Sequence, residues 1–258
     1  MTGRYYYLAA SLPPLQIGAA VDITFEEFKS RLEINLKKSD LAMARKIRQL
    51  IDIYNIRAIL LEEEIDPRGN LSKKELDEAL LVKADLPSYV FDFLDRYPTT
   101  GEKILHFSGL LAKFFSEAIA SSKGFLKRYF TFEREYRLVM TALRAKQLGR
   151  DLVREMQFED LSDPFVMQIL VQRDSAQYEP PQEFSELKEL FVSCGPDPWE
   201  RYKAFTEYKF RTVEEMQGLK PFSIDAILSY MVRLLLCEDW LALDKEKGNK
   251  TLQTEILQ

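Results

Sequence analysis

The residues that could carry chemistry are few in this 258-residue sequence, and they are scattered. His106 is the single histidine. Nucleophilic catalysis through it would need an oriented serine or cysteine and a third group to hold the ring, and no such spacing is present. It reads as a structural or surface histidine. Cys194 and Cys237 lie far apart in the chain, as two buried free thiols in a reducing compartment would. One histidine and two distant cysteines are too few for a zinc site of four nitrogen and sulfur donors. The stretch EIDPRGNLSKKE, from Glu64 to Glu75, imitates a calcium loop, with Gly69 at position six, Leu71 at eight and Glu75 at twelve. Arg68 would then fall on a ligand position and Pro67 would stiffen the loop, so a turn followed by a helix cap explains the same residues better. There is no GxxxxGK[ST], no GxGxxG and no GxSxG, which removes the common phosphate loops and the hydrolase elbow. The many carboxylates fall on exposed helix faces or in first turns, where they solvate and cap. An enzyme of another kind would have to declare itself by a deep polar pocket with several strongly shifted carboxylates. No catalytic residue, cofactor, metal or small-molecule substrate is expected.

The remaining candidates are cations. Arg134, Arg137, Arg144, Lys146 and Arg150 lie within YFTFEREYRLVMTALRAKQLGRDLVREM, from Tyr129 to Met156. Two readings stand. They form a solvated face with intrahelical pairs to Glu133, Glu135 and Asp151, or they are an interface to an acidic partner helix or subunit. The segment that positions them reads as one long helix. Phe132, Tyr136, Val139, Met140 and Leu143 recur at spacings of three and four and share a face. Leu152, Val153 and Met156 fall off that stripe if the helix stays straight. A kink near Gly149, or burial against a second surface, would reconcile them.

The bulk numbers bound what such a helix belongs to. A chain of this length buries a sizeable core without disulfide or metal. Hydrophobic residues are 46% and charged residues 30%, ordinary for a helix-rich soluble protein. Ten glycines and eleven prolines are too few for an all-β chain. The net charge of −5 argues against nucleic acid as the main partner. No run of about 18 apolar residues offers a membrane span, and MTGRYYYLAASLPPL is a poor signal peptide. The expectation is a cytoplasmic protein.

Along the chain, Tyr5–Ser11 reads as a short strand or a first helical turn. Thr24 is an N-cap with Glu26 and Glu27 in the first turn. A second helix starts at Ser39 or Asp40 and runs to about Glu64. Ser72 with Glu75 fits a capping box, and Ser88–Leu94 is a short helix. Glu102–Ser121 reads as one apolar helix, and Asp163-Pro164 opens another with proline near N1. Trp199–Gln217 and Ile224–Leu243 are the last strong helices, with a polar tail from Asp244. The fold class is therefore all-α, an elongated bundle of helical lobes joined by a long central helix. The domains are an N-terminal lobe over 1–123, a connecting helix over 124–157 and a C-terminal lobe over 158–258. The first half of the connector is expected to pack with the N-terminal lobe, the second half with the C-terminal one.

Two segments share a layout. From Thr24 and from Glu183, a Phe-rich capped helix and a turn precede a helix bearing a Tyr, then an apolar residue and an Arg. These are Tyr54, Ile56 and Arg57 in the first, and Tyr208, Phe210 and Arg211 in the second. Chance likeness of two amphipathic hairpins and an internal duplication both account for this.

FEREYRLVMTALRAKQLGRDL, from Phe132 to Leu152, resembles the central segment of the C-type (d-type in eukaryotes) central-stalk subunit of V-type and archaeal-type rotary ATPases. It is especially similar to a shorter bacterial branch related to that subunit. The opening YYYLAASLPPL, Tyr5–Leu15, and KKSDLAMARKIRQLIDIYNIRAIL, Lys37–Leu60, are similar to the same branch, with Asp52 and Asn55 in an acidic-x-x-Asn pattern. The resemblance implies an all-helical funnel of similar lobes between the membrane rotor ring and the axle of the soluble motor. It implies a non-catalytic subunit whose partners are the ring and the axle, held at the cytoplasmic side of the inner membrane. The chain is shorter than full members, so a lobe of the funnel is reduced or missing.

Overall fold

The computed structural model describes residues 5–195 and 197–256, with side chains described through Leu243. Thirteen α-helices and one short 3-10 turn form the described residues, which contain no strand. They divide into two compact units, one of Met1–Ala44 with Glu189–Gln258, the other of Arg45–Lys188.

The first unit holds α1 (Tyr6–Ala10), α2 (Phe25–Asn35), the start of α3 (Lys38–Leu60), the end of α11 (Ser185–Ser193), α12 (Pro198–Glu215) and α13 (Ile224–Ile256). α2 begins where the sequence says it should. The Thr24 side chain accepts from the Glu27 amide while the Glu27 carboxylate accepts from the Thr24 amide, a full capping box. The next amide, on Phe25, donates to Glu238 of α13 at 2.7 Å, so the start of one helix is tied to the flank of another. Phe28 of α2, almost wholly buried, meets the Tyr230 ring of α13 at 5.3 Å, and Ile227, Leu228 and Met231 of α13 are buried as well. α12 lies along α13, and the buried Ser229 hydroxyl donates to the Val213 carbonyl at 2.9 Å across that contact. Cys237 is buried and free, its thiol pushed up to about 11 by burial. The polar tail expected from Asp244 is continuous helix as far as Ile256.

The second unit holds the rest of α3, α4 (Lys73–Val82), α5 (Ser88–Arg96), α6 (Thr100–Leu105), α7 (Phe107–Ala120), α8 (Gly124–Gln147), α9 (Leu152–Glu155), α10 (Pro164–Leu170), the 3-10 turn Gln182–Phe184 and the start of α11. α8 is its spine and packs on α7, α9 and α10. Phe125, Phe130, Val139 and Ala142 on α8 have no measurable exposure.

The expected single helix over Tyr129–Met156 is two helices. α8 ends at Gln147, and Gly149 takes φ +63°. The Gly149 amide donates to the Lys146 carbonyl and the Arg150 amide to the Ala145 carbonyl, a Schellman stop that needs a residue free of the left-handed penalty. Asp151 then caps α9 through the Val153 amide. The re-aimed chain accounts for two of the three residues off the stripe: Leu152 and Met156 are buried in their new direction, while Val153 stays exposed. Glu102–Ser121 is likewise two helices. Thr99 forms a capping box with Glu102 and starts the six-residue α6, and the backbone breaks at His106 (φ −102°, ψ 11°) before α7.

Candidate functional site

An open cleft of about 720 Å³ lies within the second unit. One wall is the face of α5 that carries Tyr89, Asp92, Phe93 and Arg96, positions three and four apart on one side of a helix. The floor is α7, which presents Gly109, Ala112, Ser116 and Ala120 at the same spacing, with Leu110, Lys113 and Ile119 beside them. Arg134 of α8 and the segment Phe158–Asp163 close one end. The two helices run antiparallel. Tyr97 stacks on His106 at the start of α7 with ring centres 4.5 Å apart. Tyr89, at the other end of α5, feels Glu117 near the end of α7; burial first, and that carboxylate second, push its hydroxyl well above the usual phenol range.

Gly109 is required by a close approach. Phe158 lies against α7 at this point, and a Cβ on Gly109 would stand 3.1 Å from its ring. The same phenyl meets the His106 imidazole edge-on at 5.6 Å. His106 is thus a wedge between Tyr97 and Phe158 at the helix break.

The charged end is an ion-pair network between elements. Arg134 donates to Glu159 at 3.1 Å through Nε and to Asp163 at 2.9 Å through Nη1. Arg137 donates to the same Glu159 carboxylate through Nη2. Glu159 is 5% exposed, so two guanidiniums share one buried carboxylate. Asp163 also caps α10, accepting from the Phe165 and Val166 amides. Asp160 accepts from the Ser162 hydroxyl and amide, which hold its carboxyl below the ordinary range. Glu135, on the next position of α8, is pushed up to about 7. Burial is the main cause, Arg134 opposes it, and Glu183 and Asp163 add to it.

A second polar cluster sits on α3, where the acidic-x-x-Asn pattern falls. Asp52 accepts from the Asn70 side chain at 2.7 Å and from the Leu71 amide at 3.1 Å. Asn55 accepts from the Asp66 amide and donates to the Asp66 carbonyl, both at 2.8 Å. Arg48 donates to the carbonyls of Arg68 and Gly69. These residues strap the Asp66–Leu71 loop to α3, and burial raises the Asp52 carboxyl above its ordinary value against the pull of those bonds. The calcium-loop imitation is this turn: Asp66 holds Arg68, and Glu75 holds Ser72 in the expected capping box.

The five candidate cations separate. Arg134 and Arg137 meet acidic groups of their own chain, from a segment more than twenty residues downstream. Lys146 donates to the carbonyls of Arg173 and Ser175 at 2.7 and 2.6 Å. Arg150 lies 3.7 Å from Glu155, and Arg144 is exposed. Asp151, expected as a pairing partner, is a helix cap instead. Sequence reasoning missed the cleft. Its signal was present in the spacing of Tyr89, Phe93 and Arg96 and of Gly109, Ala112, Ser116 and Ala120, two faces that only the fold sets opposite each other.

All 258 residues match the family described as "Protein of unknown function (DUF2764)", and the chain belongs to that family. It is 28% identical to an uncharacterized protein of Chlamydia trachomatis serovar D over 250 residues, 94% of each chain. It is equally similar to an uncharacterized protein of Chlamydia muridarum over 255 residues, 96% of each. A Chlamydia pneumoniae protein is 28% identical over 233 residues, 88% of this chain and 87% of that one. No solved structure matches.

Proposed function

We propose that this chain is a non-catalytic central-stalk subunit of the C (d) kind in a bacterial V-type ATPase. In this reading it couples the membrane rotor ring to the axle of the soluble motor during ATP-linked ion transport. It would sit on the cytoplasmic side, peripheral to the inner membrane, and the helical lobes would be elongated and related by duplication. One observation supports it above the others. The residues that carry the resemblance are those that build the helical framework: Asp52 and Asn55 strap a loop to α3, and Phe132, Val139, Met140 and Leu143 are buried on α8. A part that transmits force is specified by such residues rather than by reacting groups. No described helix is long and apolar enough to cross a membrane, so attachment would be through other subunits.

The test is affinity capture of the tagged chain from membranes solubilised in mild detergent. The expected result is co-purification of ring and axle subunits, together with loss of ATP-driven ion pumping when the chain is depleted. Recovery only in a soluble complex without ring or axle would overturn the reading. It would favour the alternative, a free-standing helical adaptor or assembly factor, to which the open cleft lends its own support.

A further inference from the structure

Another cavity, of about 270 Å³, lies within the first unit. It is smaller than the roughly 300–1,000 Å³ of pockets for drug-sized ligands, so its occupant must be small. The segment Leu12–Leu15 forms one side, and α13 forms the other with Ile227, Tyr230 and Arg233. The Tyr230 hydroxyl donates to the Pro13 carbonyl at 2.9 Å and fixes that segment over the helix. Glu214 of α12 and Gln217, just past its end, complete the polar part of the lining.

Arg233 is the cation of this lining and is 8% exposed. Its guanidinium lies over the Phe210 ring at 5.4 Å, which holds its plane. The three nitrogens are unevenly used. Nη1 donates to the Glu214 carboxylate. Nη2 reaches the Gln217 side-chain oxygen at 3.4 Å, a long and weak contact. Nε is enclosed and has no hydrogen-bond partner among the described residues. Nε and Nη2 are the side-on edge of the fork, the parallel pair of N–H groups that one carboxylate accepts together. A buried donor left in this way is costly, and the neutral amide of Gln217 serves only half of the edge. Glu214 acts from the other end of the fork with half of its side chain in solvent, where its charge is screened.

We propose that this cavity binds a small aliphatic carboxylate, its two oxygens on Nε and Nη2 of Arg233 in place of Gln217 and its hydrocarbon chain against Leu12, Leu15 and Ile227. A free short-chain acid and the C-terminus of a peptide ending in an aliphatic residue offer the same chemistry. The inference concerns the first unit alone and does not depend on the stalk reading.

The experiment follows the Arg233 Nε–H resonance of the isotope-labelled full-length chain during titration with 3-methylbutanoate and with its neutral amide. The carboxylate is expected to shift that resonance and to bind at least tenfold more tightly than the amide. Acetyl-glycyl-leucine with a free carboxylate distinguishes the sources: tighter binding than 3-methylbutanoate assigns the site to chain ends, weaker binding to free acids. Gln217→Glu supplies the carboxylate from within the chain. It should keep or raise the thermal midpoint while weakening 3-methylbutanoate at least tenfold, a pairing that simple loss of structure would not give. Glu214→Gln removes a like charge at a half-exposed position and should tighten binding severalfold. Circular dichroism checks both folds, and if Gln217→Glu loses helicity, Glu214→Gln decides. Equal affinity for acid and amide, an unmoved Arg233 resonance, unchanged affinity in folded Gln217→Glu, or binding no tighter in Glu214→Gln would overturn the proposal. Capture of the ATPase subunits is a separate readout, so either result can fail without the other.

Discussion

At Gly69 an added methyl would stand 2.5 Å from the Asp52 carboxylate and 3.0 Å from the Asn55 amide. Neither group can swing away without breaking the bonds that hold the loop. Gly69→Ala is therefore expected to cost about 1–3 kcal/mol, the range for overpacking a closed site. Asp52→Ala should cost about 1–3 kcal/mol by orphaning the Asn70 and Leu71 donors. Because both substitutions act on one cluster, the double variant should lose less than their sum, as chemical denaturation would measure. Glu159→Ala removes the carboxylate that two guanidiniums share and should cost about 3 kcal/mol or more. Glu135 gives a pH signature. Its folded-state value is raised to about 7 from an ordinary 4.5, so the folded state holds a proton that the unfolded state has released. Stability should fall as pH rises from about 4.5 to 7. Glu135→Gln should stabilise the protein at pH 8, change little at pH 4, and flatten the thermal midpoint between them. Of this scale the sequence shows residue types but not partners. The acidic-x-x-Asn pattern is visible on its helix, yet nothing local says that Asp52 meets Leu71 or that Arg134 meets Glu159, twenty-five positions away.

Helix starts are more legible, because a cap is a local contract among four residues. Thr24, Ser72 and Asp163 cap the helices their neighbours imply. Thr99 makes the same capping box with Glu102 and was hidden by the apolar run that follows it. Ser72→Ala and Thr99→Ala should each cost about 1 kcal/mol, read as a lowered urea midpoint with unchanged slope. Helix stops are less legible. Gly149 stands in open space, and a Cβ there touches nothing within 4 Å. Gly149→Ala should therefore lose only the conformational term, about 1 kcal/mol, with no steric addition. The break at His106 has no glycine or proline to announce it. It depends on Tyr97 and Phe158, which close around the ring from two other segments.

At the scale of the whole molecule, the all-helical class follows from periodicity and from the scarcity of glycine and proline. The compact units do not follow from periodicity, because long-range closure leaves no local trace. α8 illustrates this. Its apolar stripe is plain in the sequence, but the partners along it, α7, α9 and α10, belong to one unit.

The first unit is assembled from both ends of the chain, and the second takes the sequence from Arg45 to Lys188. Tyr5 reaches the Phe222 carbonyl, and the Phe25 amide reaches Glu238. On a ribosome that delivers the N-terminus first, Arg45–Lys188 has its own contacts available as soon as it emerges. The described residues before Arg45 have α1 against α2, but their core with α13 must wait until that helix leaves the tunnel. A nascent chain stalled just after Lys188 has cleared the tunnel should therefore be protease-resistant over Arg45–Lys188 and more readily cleaved at its start.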